Sequence, residues 1–264
     1  MKQEAVLELQ DLTHVYVNEK GATLALYQLN LRVEQGEFVS LVGPSGCGKT
    51  TVLSLLAGLL EPTKGKVLLQ GEQVRKPSSR VGYMLQQDYL FPWRSILDNA
   101  AIGLEISGRK TPAALREVEK LLAELGIPNY GSHYPHELSG GMRQRVALAR
   151  TLATEPSVLL LDEPFSALDM HIKLQLEELV HLELKRRKKT AVLVTHDLAE
   201  AVAMSDRVIV LARNPGRIAA ELTIPAELRE ASPMSARKHP SFQSVFEQLW
   251  SELDTEEGKE AADG

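Results

Sequence analysis

The octapeptide GPSGCGKT, Gly43 to Thr50, constrains this chain more than any other stretch. It satisfies the pattern G-x-x-x-x-G-K-[ST] and follows a short apolar run, FVSLVG from Phe38 to Gly43. From Lys49 to about Leu59 the residues after it read as an apolar helix, closed by the Gly and Pro breakers of GLLEPTKG. Such a loop lets successive backbone N–H groups wrap one anion, and the helix N-terminus adds its positive dipole end. Gly43, Pro44, Ser45, Gly46, Cys47, Gly48, Lys49, Thr50 and Thr51 are therefore candidates for holding the phosphates of a nucleotide. Lys49 is expected to reach the β/γ-phosphates and Thr50 to hold Mg²⁺.

The rest of the chain supplies a sheet for that loop. AVLELQDL (Ala5 to Leu12) and ALYQLNLRV (Ala25 to Val33) alternate as strands do, and KVLLQG (Lys66 to Gly71) and RVGYML (Arg80 to Leu85) also read as strands. Between Ile96 and Gly126 the period is helical, with Pro112 in a first-turn position and Gly126 as a stop. A helix follows from about Gly141 to Ala153, then the apolar run SVLLLDEP (Ser157 to Pro164), typical of a buried parallel strand. Another helix spans about Ile172 to Arg187, strand AVLVTHD covers Ala191 to Asp197, and helix LAEAVAMS covers Leu198 to Ser205. RVIVLA (Arg207 to Ala212) closes the alternation. Strands separated by helices predict a parallel α/β sheet with ligands at the carboxyl ends of the strands. At 264 residues the chain suits one large domain or two small ones.

Three further stretches carry chemistry. In LLLDEP, Asp162 ends a strand where it can hold a metal shell, and Glu163 beside it can orient or deprotonate a water. Adjacent carboxylates repel, and a bound cation is one reason to keep the pair. VTHD puts His196 at the end of another strand on the same sheet edge; His14, His133, His171, His181 and His239 read as packing or surface residues. HELSGGMRQR, His136 to Arg145, sets paired glycines at a helix start, a second phosphate-binding pattern in one chain.

The glycine loop, LSGGMRQR, LLLDEP, SALD (Ser166 to Asp169) and VTHD, in that order and at these distances, resemble the nucleotide-binding subunit of an ABC transporter. The resemblance covers roughly residues 4 to 225 and implies an α/β P-loop ATPase domain, with an N-terminal antiparallel β subdomain and a helical signature subdomain at about 88 to 155. It implies head-to-tail pairing with a second ATPase subunit, a homodimer or a related chain. Ser139, Gly140, Gly141 and Met142 of one subunit then face the ATP on the partner's P-loop. Met142 departs from the commoner glutamine at its position. By the same resemblance Gln86, rather than Gln87, touches Mg²⁺ and the attacking water, and His196 contacts the γ-phosphate. Asp169 couples the two sites across the dimer, and Tyr16 stacks on adenine, a role that competes with a strand tyrosine packed in the core.

YLFPWRSILDN (Tyr89 to Asn99) and NPGRI (Asn214 to Ile218) resemble the ATPases of importers for nitrate, sulfonates and taurine. Trp93 stands where maltose- and polyamine-type ATPases more often carry histidine, and the hundred or so extra residues of a maltose-type regulatory domain are missing. This implies a membrane permease, touched by the loop from Phe91 to Ser95, and an extracytoplasmic solute-binding protein. The net charge of −5 gives no reason to expect nucleic acid. A start of MKQEAVLELQDL lacks a signal peptide's apolar core, and no run approaches the ~18 apolar residues of a membrane span. The expected location is the cytoplasmic face of the membrane, peripheral through the permease. Rival readings are a soluble ABC ATPase acting on nucleic acid or ribosomes, a P-loop kinase, and an importer of another cargo such as a thiamine precursor. The kinase would have no use for LSGG or SALD.

Three features lie outside these roles. Cys47, the single cysteine, sits at a helix N-terminus near Lys49, which favours the thiolate and alkylation; the alternative is a small buried residue without special reactivity. SFQSVFEQLWSEL places Phe242, Val245, Phe246, Leu249, Trp250 and Leu253 on one helical face, for docking on its own domain or on another subunit. It belongs to a C-terminal helical extension at 226 to 254, followed by an acidic tail from Thr255 to Gly264 that composition predicts to be disordered. KRRKK, Lys185 to Lys189, reads as a solvated helix end, with a minor membrane-surface role as the alternative.

Overall fold

The computed structural model describes residues 5–19, 21–166 and 168–263, with side chains as far as Thr255. Residue 4, where the ATPase domain is expected to begin, Ala167 of SALD and Gly264 lie outside the described residues. Strands β1 (Ala5–Asn18) and β2 (Gly21–Glu34) form an antiparallel pair, and β3 (Phe38–Val42) then runs into the glycine loop, from which α1 (Lys49–Leu56) leaves. β4 (Lys64–Leu69), the short β5 (Glu72–Gln73) and β6 (Val81–Met84) follow. A helical layer comes next: α2 (Ile96–Ala100), α3 (Ile102–Ile106), α4 (Pro112–Glu124) and α5 (Gly140–Leu152). The alternation resumes with β7 (Val158–Asp162), α6 (Met170–Arg186), β8 (Thr190–Val194), α7 (Leu198–Met204), β9 (Arg207–Ala212) and β10 (Arg217–Thr223). Helices α8 (Ala226–Arg229), α9 (Pro233–Ala236) and α10 (Pro240–Asp263) complete the chain.

The strands divide into an antiparallel sheet, β2-β1-β4-β5, and a six-stranded sheet, β10-β9-β3-β8-β7-β6. In the second sheet every pairing is parallel except β10 with β9. The neighbours β3, β8 and β7 are in register, Leu41 opposite Val194 and Val194 opposite Asp162. Three parallel strands side by side end at one edge, so the loops that follow them meet there.

Strict alternation along the buried strands divides the core. Leu159, Leu161, Ala191 and Leu193 face the helical layer, together with Leu121, Val146 and Leu176. Val158, Leu160, Val192 and Val194 face the other way, onto α1 and the antiparallel sheet, with Val52, Leu53, Leu7 and Leu29. A strand covered on both faces has no polar side to show, which is why VLLLD and TAVLV read as continuous apolar runs. Helix starts are chemically marked: the Thr111 side chain accepts from the Ala114 N–H with Pro112 next in line, and Gly126, at φ 73°, follows the end of α4.

The fold departs from the sequence expectations at the sheet edge, the acidic tail and KRRKK, and it decides between the two expected dockings of the C-terminal helix. The sheet does not stop at Ala212; β10 adds an antiparallel edge strand whose residues alternate exposed and half-buried. The C-terminal helix docks on its own domain, with Val245 and Leu249 buried among Val208, Val210, Ala201 and Leu228, but Trp250 stays 59% exposed. That helix continues to Asp263, through the stretch expected to be disordered; Glu, Lys and Ala there are good helix formers, and length outweighs the single Gly258. KRRKK is also no free basic run, because Arg186 and Arg187 both pair with Glu124 and Glu183, and Lys189 donates to the Pro156 carbonyl. Among the described residues no helix is long and apolar enough to cross a membrane.

Candidate nucleotide site

The loop after β3 has the tight backbone that its glycines allow. A Cβ on Gly43 would run into the Leu211 carbonyl, and Gly48, at φ 95°, lies against the Leu26 side chain. Lys49 folds back over the loop, its Nζ donating to the carbonyls of Gly43 at 2.7 Å and Pro44 at 3.1 Å. An ammonium held by two neutral carbonyls is placed to exchange them for phosphate oxygens. Cys47 is fully buried beneath it, with Sγ 3.7 Å from Nζ. Burial pushes its thiol up from the usual range and outweighs the charge of Lys49, so the expectation of a favoured thiolate is corrected.

Asp162 is the last residue of β7 and is buried, accepting from the Tyr83 hydroxyl at 3.3 Å. Burial raises its carboxyl above the ordinary range and the Glu163 charge adds to this, while hydrogen bonds from Tyr83 and Thr50 and the charge of Lys49 oppose it. A desolvated carboxylate beside a threonine hydroxyl offers the hard oxygen donors that Mg²⁺ takes, with nucleotide phosphates completing its shell. Glu163 has the left-handed backbone angle φ 46°, its N–H donating to the Val194 carbonyl at 2.9 Å. A non-glycine residue held there costs on the order of 1 kcal/mol and marks a position the surroundings impose. Its side chain is the meeting point of the site: Oε2 lies 3.0 Å from Gln86 Nε2 and 3.2 Å from His196 Nδ1. Gln86 also donates to Ser166 Oγ at 3.3 Å.

An open cleft of about 630 Å³ runs along these groups, lined by Tyr16, Gly43, Ser45, Gly46, Gly48, Lys49, Thr50, Thr51, Glu163 and His196. Thr23, Leu24 and Ala25 from β2 and Asn214 from NPGRI, in the turn after β9, line it too. Tyr16 is not packed in the core; it is 41% exposed, with its hydroxyl 3.3 Å from Thr51 Oγ1 and its ring edge-on to His14.

The signature residues lie elsewhere. Ser139 caps α5, its Oγ accepting from the Met142 N–H, and Ser139 and Gly140 are exposed at that helix start. Gly141 has a packing reason of its own, since a Cβ there would stand 2.5 Å from Ile172 Cγ2 on α6. Asp169 caps α6, accepting from the Ile172 N–H at 3.2 Å. None of Ser139, Gly140, Gly141, Met142 or Asp169 lines the cleft.

Side chains to which the sequence assigned no role of their own fasten α5 to the segment around Gln86. Gln144 Nε2 donates to the Gln86 carbonyl at 3.0 Å, Arg143 pairs with Asp88 at 2.9 Å, and Arg150 donates to the carbonyls of Asp88 and Tyr89. Asn99, fully buried, braces the loop from Phe91 to Ser95: its Oδ1 accepts from the Phe91 N–H at 2.7 Å, and its Nδ2 donates to the carbonyls of Phe91, Arg94 and Ser95. On top of that brace Trp93 is 72% exposed.

Residues 26–166 match the family described as ABC transporter. The chain is 51% identical over 249 residues to the uncharacterized ABC transporter ATP-binding protein YtlC of Bacillus subtilis (strain 168), covering 94% of this chain and 96% of that one. It is 39% identical over 258 residues to the nitrate import ATP-binding protein NrtD of a Synechocystis strain, covering 96% and 97%. Among solved structures it is similar to the dimeric, post-hydrolysis ATP-binding cassette MJ0796 bound to ADP and Pi. The TM-score is 0.74 and the identity 30%, covering 83% of this chain and 99% of that one. With the phosphate loop and the glutamate–histidine contact in one cleft and Asp162 buried next to it, the chain belongs to the ABC transporter family, as one of its ATP-hydrolysing, ATP-binding subunits.

Proposed function

We propose that this chain energises a membrane importer of small molecules of the nitrate, sulfonate and taurine type, two copies closing on two ATP molecules. The observation that carries the reading is the convergence of Gln86 and His196 on one carboxylate oxygen of Glu163, beside the phosphate loop. In this reading Lys49 holds the β/γ-phosphates, and Asp162, Thr50 and Gln86 hold Mg²⁺, which supplies charge neutralisation at the phosphates when bound. Glu163 takes the proton of the attacking water, Gln86 orients that water, and His196 contacts the γ-phosphate. Tyr16, exposed at the cleft rim, offers its ring to the adenine.

The exposed start of α5 explains why one copy is not enough. Ser139 and Gly140 are exposed at a helix start away from their own cleft, a place suited to a partner's γ-phosphate. The nitrate-import relative and the dimeric solved cassette support the importer and dimer parts of this reading. Trp93, exposed on its Asn99 brace, is the contact offered to permease subunits at the cytoplasmic face of the membrane, and a solute-binding protein would deliver the cargo.

The test uses Glu163→Gln, tagged and expressed with its host's membranes. It should bind ATP and hydrolyse it roughly 10²-fold or more slowly than the parent chain. Loaded with ATP and extracted gently, it should form a dimer that retains a polytopic membrane protein. Near-normal turnover would refute the base assignment, and a wholly soluble catch would remove transport from the account.

A further inference from the structure

Next to the cleft residue His196 lies a largely buried charge cluster for which the nucleotide chemistry does not account, and of which only Asp197, the last residue of VTHD, belongs to a sequence motif. Lys173, on the first turns of α6, places Nζ 2.8 Å from Asp197 Oδ2, 2.8 Å from Glu200 Oε2 and 4.0 Å from Glu177 Oε1. Glu177, one turn further on, is completely buried, and its Oε2 is met at 2.6 Å by Arg237 Nη2. Arg237 follows α9, so it comes from the C-terminal extension rather than from the cassette proper; its guanidinium is steadied by donation to the Pro233 carbonyl at 3.2 Å.

Both ends of this cluster touch loops of the site. Lys173 N–H donates to the carbonyl of Asp169, so the ammonium is set one turn behind that residue. Asp197 directly follows His196; it caps α7 by accepting from the Glu200 N–H at 3.1 Å, and its own N–H donates to Thr195 Oγ1 at 3.0 Å. The position of the His196 backbone therefore depends on where Asp197 is held, and the side-chain cation that holds it is Lys173.

The cluster is short of cations, and the extension supplies one of the two that it has. Three carboxylates, Glu177, Asp197 and Glu200, share two cations, Lys173 and Arg237. Without Arg237, Glu177 would be a buried anion with Lys173 as its nearest counter-charge. Leaving one member of a buried pair uncompensated is far costlier than removing both. Lys173 would then be drawn toward Glu177 and away from Asp197.

We propose that Arg237 is a positioning residue: by neutralising Glu177 from the C-terminal extension it frees Lys173 to hold Asp197, and so keeps His196 against Glu163. This rests on the reading of Glu163 and His196 given above. The extension is on this account part of the hydrolytic machinery, acting on the step at the γ-phosphate and leaving the phosphate loop untouched.

The experiment compares steady-state ATP hydrolysis by the full-length chain and four variants. Arg237→Met should lower kcat about five-fold or more while KM for ATP stays within about two-fold, because the phosphate loop is unaltered. Arg237→Lys should keep most of the activity. The double variant Glu177→Gln with Arg237→Met, which removes both charges, should return kcat to within about two-fold of the parent. His196→Ala is the reference for loss of the positioned group. A normal kcat in Arg237→Met beside an inactive His196→Ala would overturn the positioning role and leave the site reading standing. A normal His196→Ala would overturn the site reading and this inference with it. If Arg237→Met does not fold, the double variant decides: a folded protein near parental kcat supports the charge route, and one impaired more than about five-fold overturns it.

Discussion

Cys47 occupies a position where two electrostatic influences compete. The helix N-terminus and the Lys49 ammonium, 3.7 Å from its sulfur, favour the thiolate, while complete burial beneath the loop favours the thiol. Burial is the larger, so the group titrates above the ordinary thiol range. The consequence is slow chemistry: at neutral pH in the native protein, iodoacetamide should leave Cys47 unmodified over a period that fully labels it in denaturant. Mass spectrometry of the two samples checks this, and rapid stoichiometric labelling of the native chain would show that the loop opens. The carboxylates nearby show the same limit on what residue types alone disclose. That Asp162 and Glu163 stand together at a strand end was legible from LLLDEP. That Glu163 is held at φ 46° with Gln86 and His196 on one of its oxygens was not, because it depends on β8 lying between β3 and β7.

At the level of elements, legibility followed the strength of the period. Strands buried on both faces, such as β7 and β8, announce themselves as apolar runs, and helices with a cap and a stop, such as α4, announce both ends. β10 has only half-buried alternation on an edge, and α8 and α9 are four residues each, too short for a helical period to show. The brace under the loop from Phe91 to Ser95 was likewise hidden, since a single asparagine in a short helix carries no pattern. Yet Asn99 makes four hydrogen bonds to that loop's backbone while fully buried. Asn99→Leu should therefore destabilise the chain by about 2–4 kcal/mol, given roughly 1–3 kcal/mol for each buried group left unpaired and some relaxation toward solvent. Urea unfolding measures the loss. Because Asn99 reaches no group of the cleft, hydrolysis by the isolated folded chain should change less than about two-fold. ATPase stimulation by the permease should fall much further as Trp93 loses its fixed position. A variant as stable as the parent would show that the loop's shape does not depend on this side chain.

For the whole molecule, the question is why one chain has two phosphate-binding patterns on separate surfaces. The cleft takes its lining from the phosphate loop, β1, β2 and the carboxylate edge, while Ser139 and Gly140 are exposed at the start of α5 and line none of it. Within one copy α5 cannot swing to its own cleft, because Arg143, Gln144 and Arg150 tie it to the segment around Gln86 and Gly141 is packed on Ile172. On the proposed reading a second copy related by a two-fold axis would resolve this, since each patch then meets the other kind twice. The arrangement makes a quantitative prediction. Lys49→Ala destroys the phosphate loop and leaves the signature intact; Ser139→Arg blocks the signature and leaves the loop intact. Each should be inactive alone. Mixed in equal amounts and allowed to exchange, half the dimers carry one chain of each kind, and each of these has one composite site with both parts sound. If the two sites act independently, the mixture should recover up to about a quarter of parental hydrolysis; partial coupling between them lowers that recovery without abolishing it. Hydrolysis that is no greater in the mixture than in its components, with exchange verified by two different tags, would mean that Ser139 does not serve the partner's cleft.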